Sequence, residues 1–217
     1  MKILLVAPPV FDFYFTTHRM EPLGLLYIKE ASAKAGHDVA LYDATLSGKV
    51  KRVATPSEFA YLDKFYEEDI SPFSLHNSYK RLGDSFLKIV DFIKENDFDL
   101  VALSSLFSPY HPDVELLAAE IKKSVEIPVI IGGTAVNAQK KKIAQTTKAD
   151  YLNCGNGAVT LPLLADAIEG KISFEEVPGL IWRKEGEIIF NEPSLEPAWC
   201  EILFRTEPDY DISEKRK

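Results

Sequence analysis

Hydrophobic and polar positions alternate along the chain in two distinct patterns. Short, continuous apolar runs such as ILLVA near the amino terminus are typical of strands that are buried on both faces. Between these runs, apolar residues recur three and four positions apart, as in Phe86, Ile89, Val90 and Ile93, which is the spacing of a helix with one inward face. The runs predict strands at 3–7, 39–42, 100–103, 128–131 and 151–154. The spaced residues predict helices at 25–35, 86–93, 114–121, 139–146 and 161–168.

The regular alternation of strand and helix predicts an α/β fold. Strands without a polar face need helices on both sides, so we expect a doubly wound, three-layer, five-stranded parallel sheet of the flavodoxin-like type. In such sheets, ligands bind at the carboxyl ends of the strands, near the point where the strand order reverses. The segments that follow the first, third, fourth and fifth strands are therefore the candidate site.

Two regions fall outside this repeat. Residues 45–81 form an insertion rich in aromatic residues, which we interpret as a packed flap, with a lid over the site as the alternative. Residues 179–192 predict a β-hairpin that turns at Glu185-Gly186. We therefore divide the chain into an α/β domain at 1–176, a hairpin appendage at 177–193 and a linker-like charged tail at 194–217.

Composition and charge narrow the range of partners. The 217 residues carry a net charge of −8, which argues against nucleic acid as the main partner because phosphate binding needs a basic surface. No apolar run approaches the length of a membrane span, so no membrane partner is expected. Cys154 and Cys200 lie far apart and suit a reducing compartment, so we expect a cytoplasmic protein.

Several common chemistries of this fold are not supported by the sequence. No glycine lies between the first strand and Gly24, where a phosphate-binding loop would be. The positions that would be acidic in a phospho-acceptor domain hold Ala7-Pro8 and Ser104-Ser105. A Gly-x-Ser-x-Gly motif is absent, and the four histidines have no metal-ligand spacing.

Small residues end the two central strands. Ser104 follows the third strand, and Gly132-Gly133 closes the fourth. Adjacent glycines let a bulky group lie against the backbone, and a serine on the neighbouring strand offers one hydrogen bond inside the same slot. These residues predict either a narrow cleft for a flat ring or two strand ends that simply need small side chains.

The order of these motifs resembles that of a known family. Ser104-x-Leu106, followed by Gly132-Gly133, resembles the cobalamin-binding domain family. The segments KILLVAPP, EPLGLLYIKEASAKAGHDVALYDA and ADYLNCGNGAVTLPLLADAIEG resemble the amino-terminal domain of cobalamin-dependent radical S-adenosylmethionine enzymes. The resemblance implies that cobalamin is the cofactor and that its dimethylbenzimidazole tail enters the slot. It also implies that Ser104 and Leu106 line the tail slot, that Gly132, Gly133 and Thr134 pass beneath the nucleotide loop, and that Ser108 lies near the corrin.

The chain departs from the family pattern at two places that concern the cofactor. The Asp-x-His-x-x-Gly motif that supplies a cobalt-binding histidine in many members is absent, which implies base-off binding without a protein histidine; His18 stays open as an axial candidate. After the fifth strand, Gly-Glu-Gly-Glu is replaced by Gly155-Asn156-Gly157-Ala158. The glycines predict that the turn is kept, and we include Gly155, Asn156 and Gly157 among the expected cofactor-binding residues.

The third departure concerns catalysis. The three-cysteine motif for a [4Fe–4S] cluster is absent, and two cysteines cannot replace it. We therefore expect that this chain alone is not catalytic, and that a radical domain, in cis or in trans, carries the cluster and S-adenosylmethionine. The complete protein is expected to be a methyltransferase. Two alternatives stay open: an interaction module of the same fold that no longer binds cofactor, and the nucleotide-sugar-binding half of a transferase.

Overall fold

A large sheet forms the centre of the molecule and a small sheet lies beside it. The structure, a computed structural model, describes residues 1–13, 21–62 and 78–194. The strands are β1 (Lys2–Ala7), β2 (Val10–Asp12), β3 (Asp38–Asp43), β4 (Val50–Arg52), β5 (Lys80–Leu82), β6 (Leu100–Ser104), β7 (Val129–Gly132), β8 (Tyr151–Asn153), β9 (Leu180–Lys184) and β10 (Glu187–Phe190). The helices are α1 (Leu23–Lys34), α2 (Phe86–Glu95), α3 (His111–Ser124), α4 (Thr134–Thr146) and α5 (Gly157–Ile168).

The large sheet has the strand order β10-β9-β8-β7-β6-β1-β3. Its five strands from β3 to β8 are parallel, and they are the five strands that the apolar runs predicted. Their order, with β1 between β3 and β6, is the flavodoxin-like order, which reverses between β1 and β6. The predicted fold class is therefore confirmed.

Two apolar clusters cover the two faces of this sheet. One cluster joins α2, α3 and α4 to one face, with residues such as Ile93 and Leu117 fully or almost fully buried. The other joins α1 and α5 to the opposite face through Leu25 and Leu164. Because side chains alternate along a strand, neighbouring residues in β1 feed different clusters. These two clusters are the reason why the strands are apolar throughout.

The predicted hairpin is present and continues the large sheet. Strand β9 pairs antiparallel with both β8 and β10. The turn places Glu185 at φ 51° and Gly186 at φ 89°, the positive angles that a two-residue hairpin turn requires. The sequence predicted the hairpin but not its place at the edge of β8. The domain boundary at 176/177 stays a prediction.

A second sheet, in the order β2-β5-β4, contains parts of the aromatic-rich insertion. Phe59 and Tyr79 of the insertion pack against Phe13, with ring centroids 5.6 and 5.0 Å from the Phe13 ring. These contacts pack the described part of the insertion against the segment after β2, and its role as a flap or a lid stays a prediction. Of the insertion's other aromatic residues, Tyr61 is exposed, and those at 65, 66 and 73 lie outside the described residues.

Two helices begin four or five residues earlier than their apolar spacing predicted. Helix α4 starts at Thr134, directly after Gly133, and has non-helical angles at Gln139, where the predicted helix begins. Helix α5 starts at Gly157 and is capped by Asn156. The first turns of both helices face the end of the sheet, so they lack the apolar period that marks the later turns.

Among the helices of the described residues, none combines the length and the apolar character that a membrane span requires.

Candidate functional site

A cavity of about 750 Å³ lies at the carboxyl ends of β1, β6, β7 and β8. It extends from the sheet edge into the space between the sheet and the two helices α1 and α5. The apolar side chains that line its inner part come from three strands and two helices: Leu5, Ala102, Ile130, Leu25, Ile28 and Leu161. This is the edge and the strand-order reversal point at which the sequence placed the site.

Small residues on one face of the central strands make room for the cavity. In β6, Ala102 packs against the same cluster as Leu100, so Ser104, two residues further, shares that face. Ala7 ends β1 on the same side, and Gly132 ends β7 there. Ala7, Ala102, Ser104 and Gly132 all line the cavity. The strand ends therefore leave a slot between the sheet and the helices α1 and α5.

The predicted serine and glycine motifs lie side by side. Ser104 is the register partner of Gly132. The Ser105 amide donates to the Gly132 carbonyl over 2.7 Å, and the Ala135 amide donates to the Ser105 carbonyl over 3.1 Å. The Thr134 hydroxyl also donates to the Leu106 carbonyl. The two loops that follow β6 and β7 thus form one hydrogen-bonded unit.

The two adjacent positions require glycine for different reasons. Gly133 has φ +120°, and a Cβ there would lie 2.8 Å from the Ser105 carbonyl carbon, closer than any side chain tolerates. Its role is to let the β6 and β7 loops pass each other. Gly132 lines the cavity, and a Cβ there would lie 3.3 Å from the Asn153 Cβ. Both glycines line the cavity, but of the two only Gly133 has a backbone that itself excludes a side chain.

Seven of the nine predicted cofactor-binding residues line the cavity. Leu106 and Thr134 lie at its mouth, where both side chains are exposed. Gly155 and Gly157 line it near α5, and a Cβ at Gly157 would lie 2.6 Å from the Ile28 Cδ1. The remaining lining residues of the prediction are Ser104, Gly132 and Gly133.

Ser108 and Asn156 are not among the lining residues. Ser108 begins a short 3-10 helix that ends at Tyr110. The Asn156 side-chain oxygen accepts a hydrogen bond of 3.0 Å from the Ala158 amide, which caps α5. This cap keeps the turn ordered although the family's carboxylates are missing. A cofactor-binding role for either residue stays a prediction.

His111 is held between a buried serine and a half-buried glutamate. Its Nδ1 lies 2.9 Å from the Ser105 hydroxyl, and its Nε2 lies 3.3 Å from a Glu115 carboxylate oxygen. Burial alone would raise the pKa of Glu115, but hydrogen bonds from His111 and Thr147 hold it below its usual value. Ser105 is 1% exposed, so this Ser-His-Glu series cannot reach a substrate. It fixes the start of α3 to the loop after β6.

Polar groups around the mouth are acidic or neutral. Asp43 lines the cavity and accepts hydrogen bonds from the Thr45 amide and hydroxyl at 2.9 and 2.6 Å. Glu21 is the other carboxylate of the lining, and no lysine, arginine or histidine belongs to it within the described ranges. A neutral ligand rich in amide groups suits such a lining better than a polyphosphate.

A cluster of tyrosines and carboxyls joins the small sheet to α3. The Tyr110 hydroxyl donates to Asp12 over 2.5 Å. Burial raises the pKa of Asp113, in the first turn of α3, to about 6. Burial also raises the pKa of Tyr79 to about 12, with smaller effects from Asp113, Asp12 and Tyr110. The cluster adjoins the cavity through Tyr110, which lines it.

Sequence reasoning missed several residues that line the cavity. Ala102 carried a signal, because it is a small residue inside an apolar strand and two positions before Ser104. Asn153 carried a weaker one, as the polar last residue of β8. Leu25, Ile28 and Leu161 had only the signal of ordinary core positions. Over the described parts of the chain, no group of three or more metal-ligating side chains comes together.

Comparisons with known proteins agree with the geometry. The family model of the B12 binding domain matches residues 60–165. The chain is 28% identical over 196 residues to cytidylyl-2-hydroxyethylphosphonate methyltransferase of Streptomyces wedmorensis. That alignment covers 89% of this chain and 33% of the relative. The resemblance that the sequence motifs indicated is thereby confirmed.

Solved structures show the same fold. The cobalamin-dependent S-adenosylmethionine radical enzyme OxsB, with aqua-cobalamin and S-adenosylmethionine bound, superimposes with a TM-score of 0.69 at 14% identity, covering 99% of this chain and 25% of OxsB. The radical S-adenosylmethionine methyltransferase TsrM from Kitasatospora setae, with cobalamin and a [4Fe–4S] cluster bound, gives 0.60 at 17% identity, covering 97% of this chain and 31% of TsrM. The chain spans about a third or less of the length of these relatives.

Proposed function

Because this chain carries a B12 binding domain related to cobalamin-dependent radical S-adenosylmethionine methyltransferases, we propose that it holds cobalamin in the base-off state without a protein histidine. The corrin would lie over the carboxyl edge of the large sheet. Its nucleotide tail would enter the slot between the sheet and the helices α1 and α5. The residues that would line the slot are Ser104, Leu106, Gly132, Gly133, Thr134, Gly155 and Gly157.

The observation that carries this proposal is the depth of the cavity beneath small residues. Ala102 lies two residues inside the end of β6, and its register partners Leu5 and Ile130 line the cavity at the same depth. A surface groove for a peptide would not need such depth, whereas a flat ring inserted edge-on would. The apolar walls from α1 and α5 would bury the faces of that ring and stabilise it by removing apolar surface from water.

The histidines that the structure describes support base-off binding without a protein ligand. His37 lies at the amino edge of the sheet, where its Nδ1 is 3.4 Å from the Met1 amino group. His111 is turned toward Ser105 and Glu115, and neither histidine lines the cavity. His18 and His76 lie outside the described residues, so the axial role that was left open for His18 stays a question for experiment.

The absorption spectrum of the complex tests the base-off state. Protein mixed with hydroxocobalamin at neutral pH and passed through a desalting column is expected to keep its colour. Its spectrum should match that of free cobalamin acidified to release the benzimidazole, since the tail is held away from cobalt. A spectrum of the base-on type, or one that changes when His18 is replaced by alanine, would contradict histidine-free base-off binding.

Two other functions make different predictions in the same assay. An interaction module that has lost its cofactor would not retain colour at any cobalamin concentration. A nucleotide-sugar-binding domain would bind a uridine or guanosine diphosphate sugar instead. The lining argues against the second, since no basic side chain of the described ranges faces the cavity to meet a diphosphate.

For the complete protein we propose only a class of reaction. A radical domain, in cis or in trans, would carry the iron–sulfur cluster and S-adenosylmethionine and would present substrate above the corrin. Methyl transfer to an unactivated carbon or phosphorus is the reaction we favour, with ring formation as the alternative. We also retain the cytoplasmic location that the cysteine usage predicts.

A further inference from the structure

Asn153 is a buried carboxamide on the wall of the cavity. It ends β8 and is 5% exposed. Its Nδ2 lies on the side of Gly132 and Gly157, where added Cβ atoms would be 3.5 and 3.3 Å away. Its Oδ1 lies on the side of Gly155 and Gly179, at 3.9 and 3.5 Å from the equivalent positions. Four glycines thus surround one polar side chain, three of them in the cavity lining.

The protein itself leaves this carboxamide poorly bonded. Its Nδ2 reaches the Gly155 carbonyl at 3.5 Å, the outer limit of a hydrogen bond. Its Oδ1 is buried and has no hydrogen-bond partner among the described residues. By contrast, Asn191 donates to the carbonyls of Phe174 and Val177 at 2.6 and 2.8 Å and accepts from the Trp182 indole at 3.4 Å.

A buried polar group without a partner is rare in folded proteins and needs a reason. Packing gives none here, because leucine has nearly the same shape as asparagine and would leave no unbonded atom. The inner lining around it is otherwise apolar or glycine, apart from Ser104, which ends β6 on the far side of Gly132. Between Gly132 and Gly157, the carboxamide is the polar side chain placed to bond a polar atom of a ligand.

We infer that Asn153 determines which lower base the slot accepts, by hydrogen bonding to a polar atom of the heterocycle that enters it. A ring nitrogen accepts from the amide NH₂, and the carboxamide can turn end for end to accept from a ring or ribose donor instead. This inference rests on the proposed cobalamin function. It adds that the site selects the tail by its hydrogen-bonding groups as well as by its flat shape.

Asn153→Leu tests the inference by comparing two ligands. Cobalamin carries the nucleotide tail, and cobinamide has the same corrin without it. In equilibrium dialysis we expect the wild-type protein to prefer cobalamin. Asn153→Leu should bind cobalamin about tenfold more weakly, the loss expected for one hydrogen bond inside a buried site, while its affinity for cobinamide stays within about twofold of wild type. Asn153→Ala, smaller in every direction, serves if the leucine side chain does not fit.

Thr160→Val is the matched control. Thr160 is 1% exposed, donates to the Pro178 carbonyl at 2.7 Å and is outside the cavity lining. Loss of the Thr160 hydroxyl should lower the unfolding temperature and leave the preference for cobalamin unchanged. Asn153→Leu should instead reduce the preference for cobalamin. The unfolding temperature of the free variant should be equal to or above that of wild type.

The possible outcomes separate this inference from the proposed function. A wild-type protein that binds neither ligand overturns both. A wild-type protein that binds cobalamin, with an Asn153→Leu variant that binds it equally well, overturns the role of Asn153 alone. Equal losses for cobalamin and cobinamide also overturn it, because they would show that Asn153 only supports the fold.

Discussion

Gly133 shows how one residue serves both the fold and the site. Its φ of +120° and its closeness to the Ser105 backbone mean that any side chain there is excluded by the protein itself. Other glycines with positive φ, such as Gly170 at +75°, have open space around the Cβ position. A comparison of Gly133 with Gly170 therefore separates the energetic cost of a positive φ from the cost of a steric collision.

Gly133→Ala is expected to destabilise the free protein much more than Gly170→Ala. The Gly170 variant should lose about 1 kcal/mol, from the positive φ alone. The Gly133 variant should lose at least about 2 kcal/mol more, because the loops after β6 and β7 must move apart. Chemical unfolding followed by circular dichroism measures both values, and equal losses would show that the collision is relieved without cost.

At this scale the sequence predicted residues whose chemistry is unusual at their position. A serine and two glycines at strand ends stand out against apolar strands, so Ser104, Gly132 and Gly133 were found. Ala102 and Asn153 were not, because their importance depends on which helix lies opposite them. That information is set by contacts between elements far apart in the chain.

At the scale of elements, the small sheet and α3 meet at a carboxyl group. Asp113 lies in the first turn of α3. Burial raises the pKa of Tyr79, just before β5, and the Asp113 charge adds a smaller effect in the same direction. Burial raises the pKa of Asp113 to about 6 from an ordinary value of 3.8. The folded protein therefore keeps this proton at pH values where the unfolded chain has released it.

Asp113→Asn is expected to remove a pH-dependent loss of stability. In the wild type the contribution of Asp113 to the free energy of unfolding falls as pH rises from about 4 to 6, then stays constant. The variant should gain about 1 kcal/mol over wild type at pH 7 and almost nothing at pH 4. This magnitude allows for the partial exposure of the carboxyl and its favourable place at a helix N-terminus.

Urea unfolding of both proteins at several pH values measures this difference. A gain that is the same at pH 4 and pH 7 would contradict a raised pKa for Asp113. A variant less stable than wild type at pH 7 would show instead that the ionised carboxylate makes a favourable contact there.

Element boundaries show where apolar periodicity stops being informative. The later turns of α4 and α5 were predicted from their inward stripes, whereas the first turns, which begin at Thr134 and Gly157, were not. Those turns face the cavity and the strand ends, so their residues were selected for small size and capping. The part of each helix that the pattern missed is the part nearest the site.

At the scale of the whole molecule, the alternation of buried strands and one-sided helices was sufficient to predict the doubly wound sheet. Five parallel strands and both helical layers followed from it. The extension of the sheet by β9 and β10 did not, because a hairpin pattern gives no information about which edge it joins. Pairing of β9 with β8 is a long-range choice, fixed by the burial of Leu180 and Ile181.

The central claim is that one cobalamin binds in the slot beneath the strand ends, and blocking that slot tests it most directly. Ala102→Phe places a ring where the tail would lie, and Ala33→Phe places the same ring on the exposed side of α1. Titration calorimetry of the folded proteins with hydroxocobalamin should give one site per chain for wild type and Ala33→Phe, and at least about a hundredfold weaker binding for Ala102→Phe. Cobalamin binding that is equally tight in all three proteins, or absent from the wild type, would contradict the account.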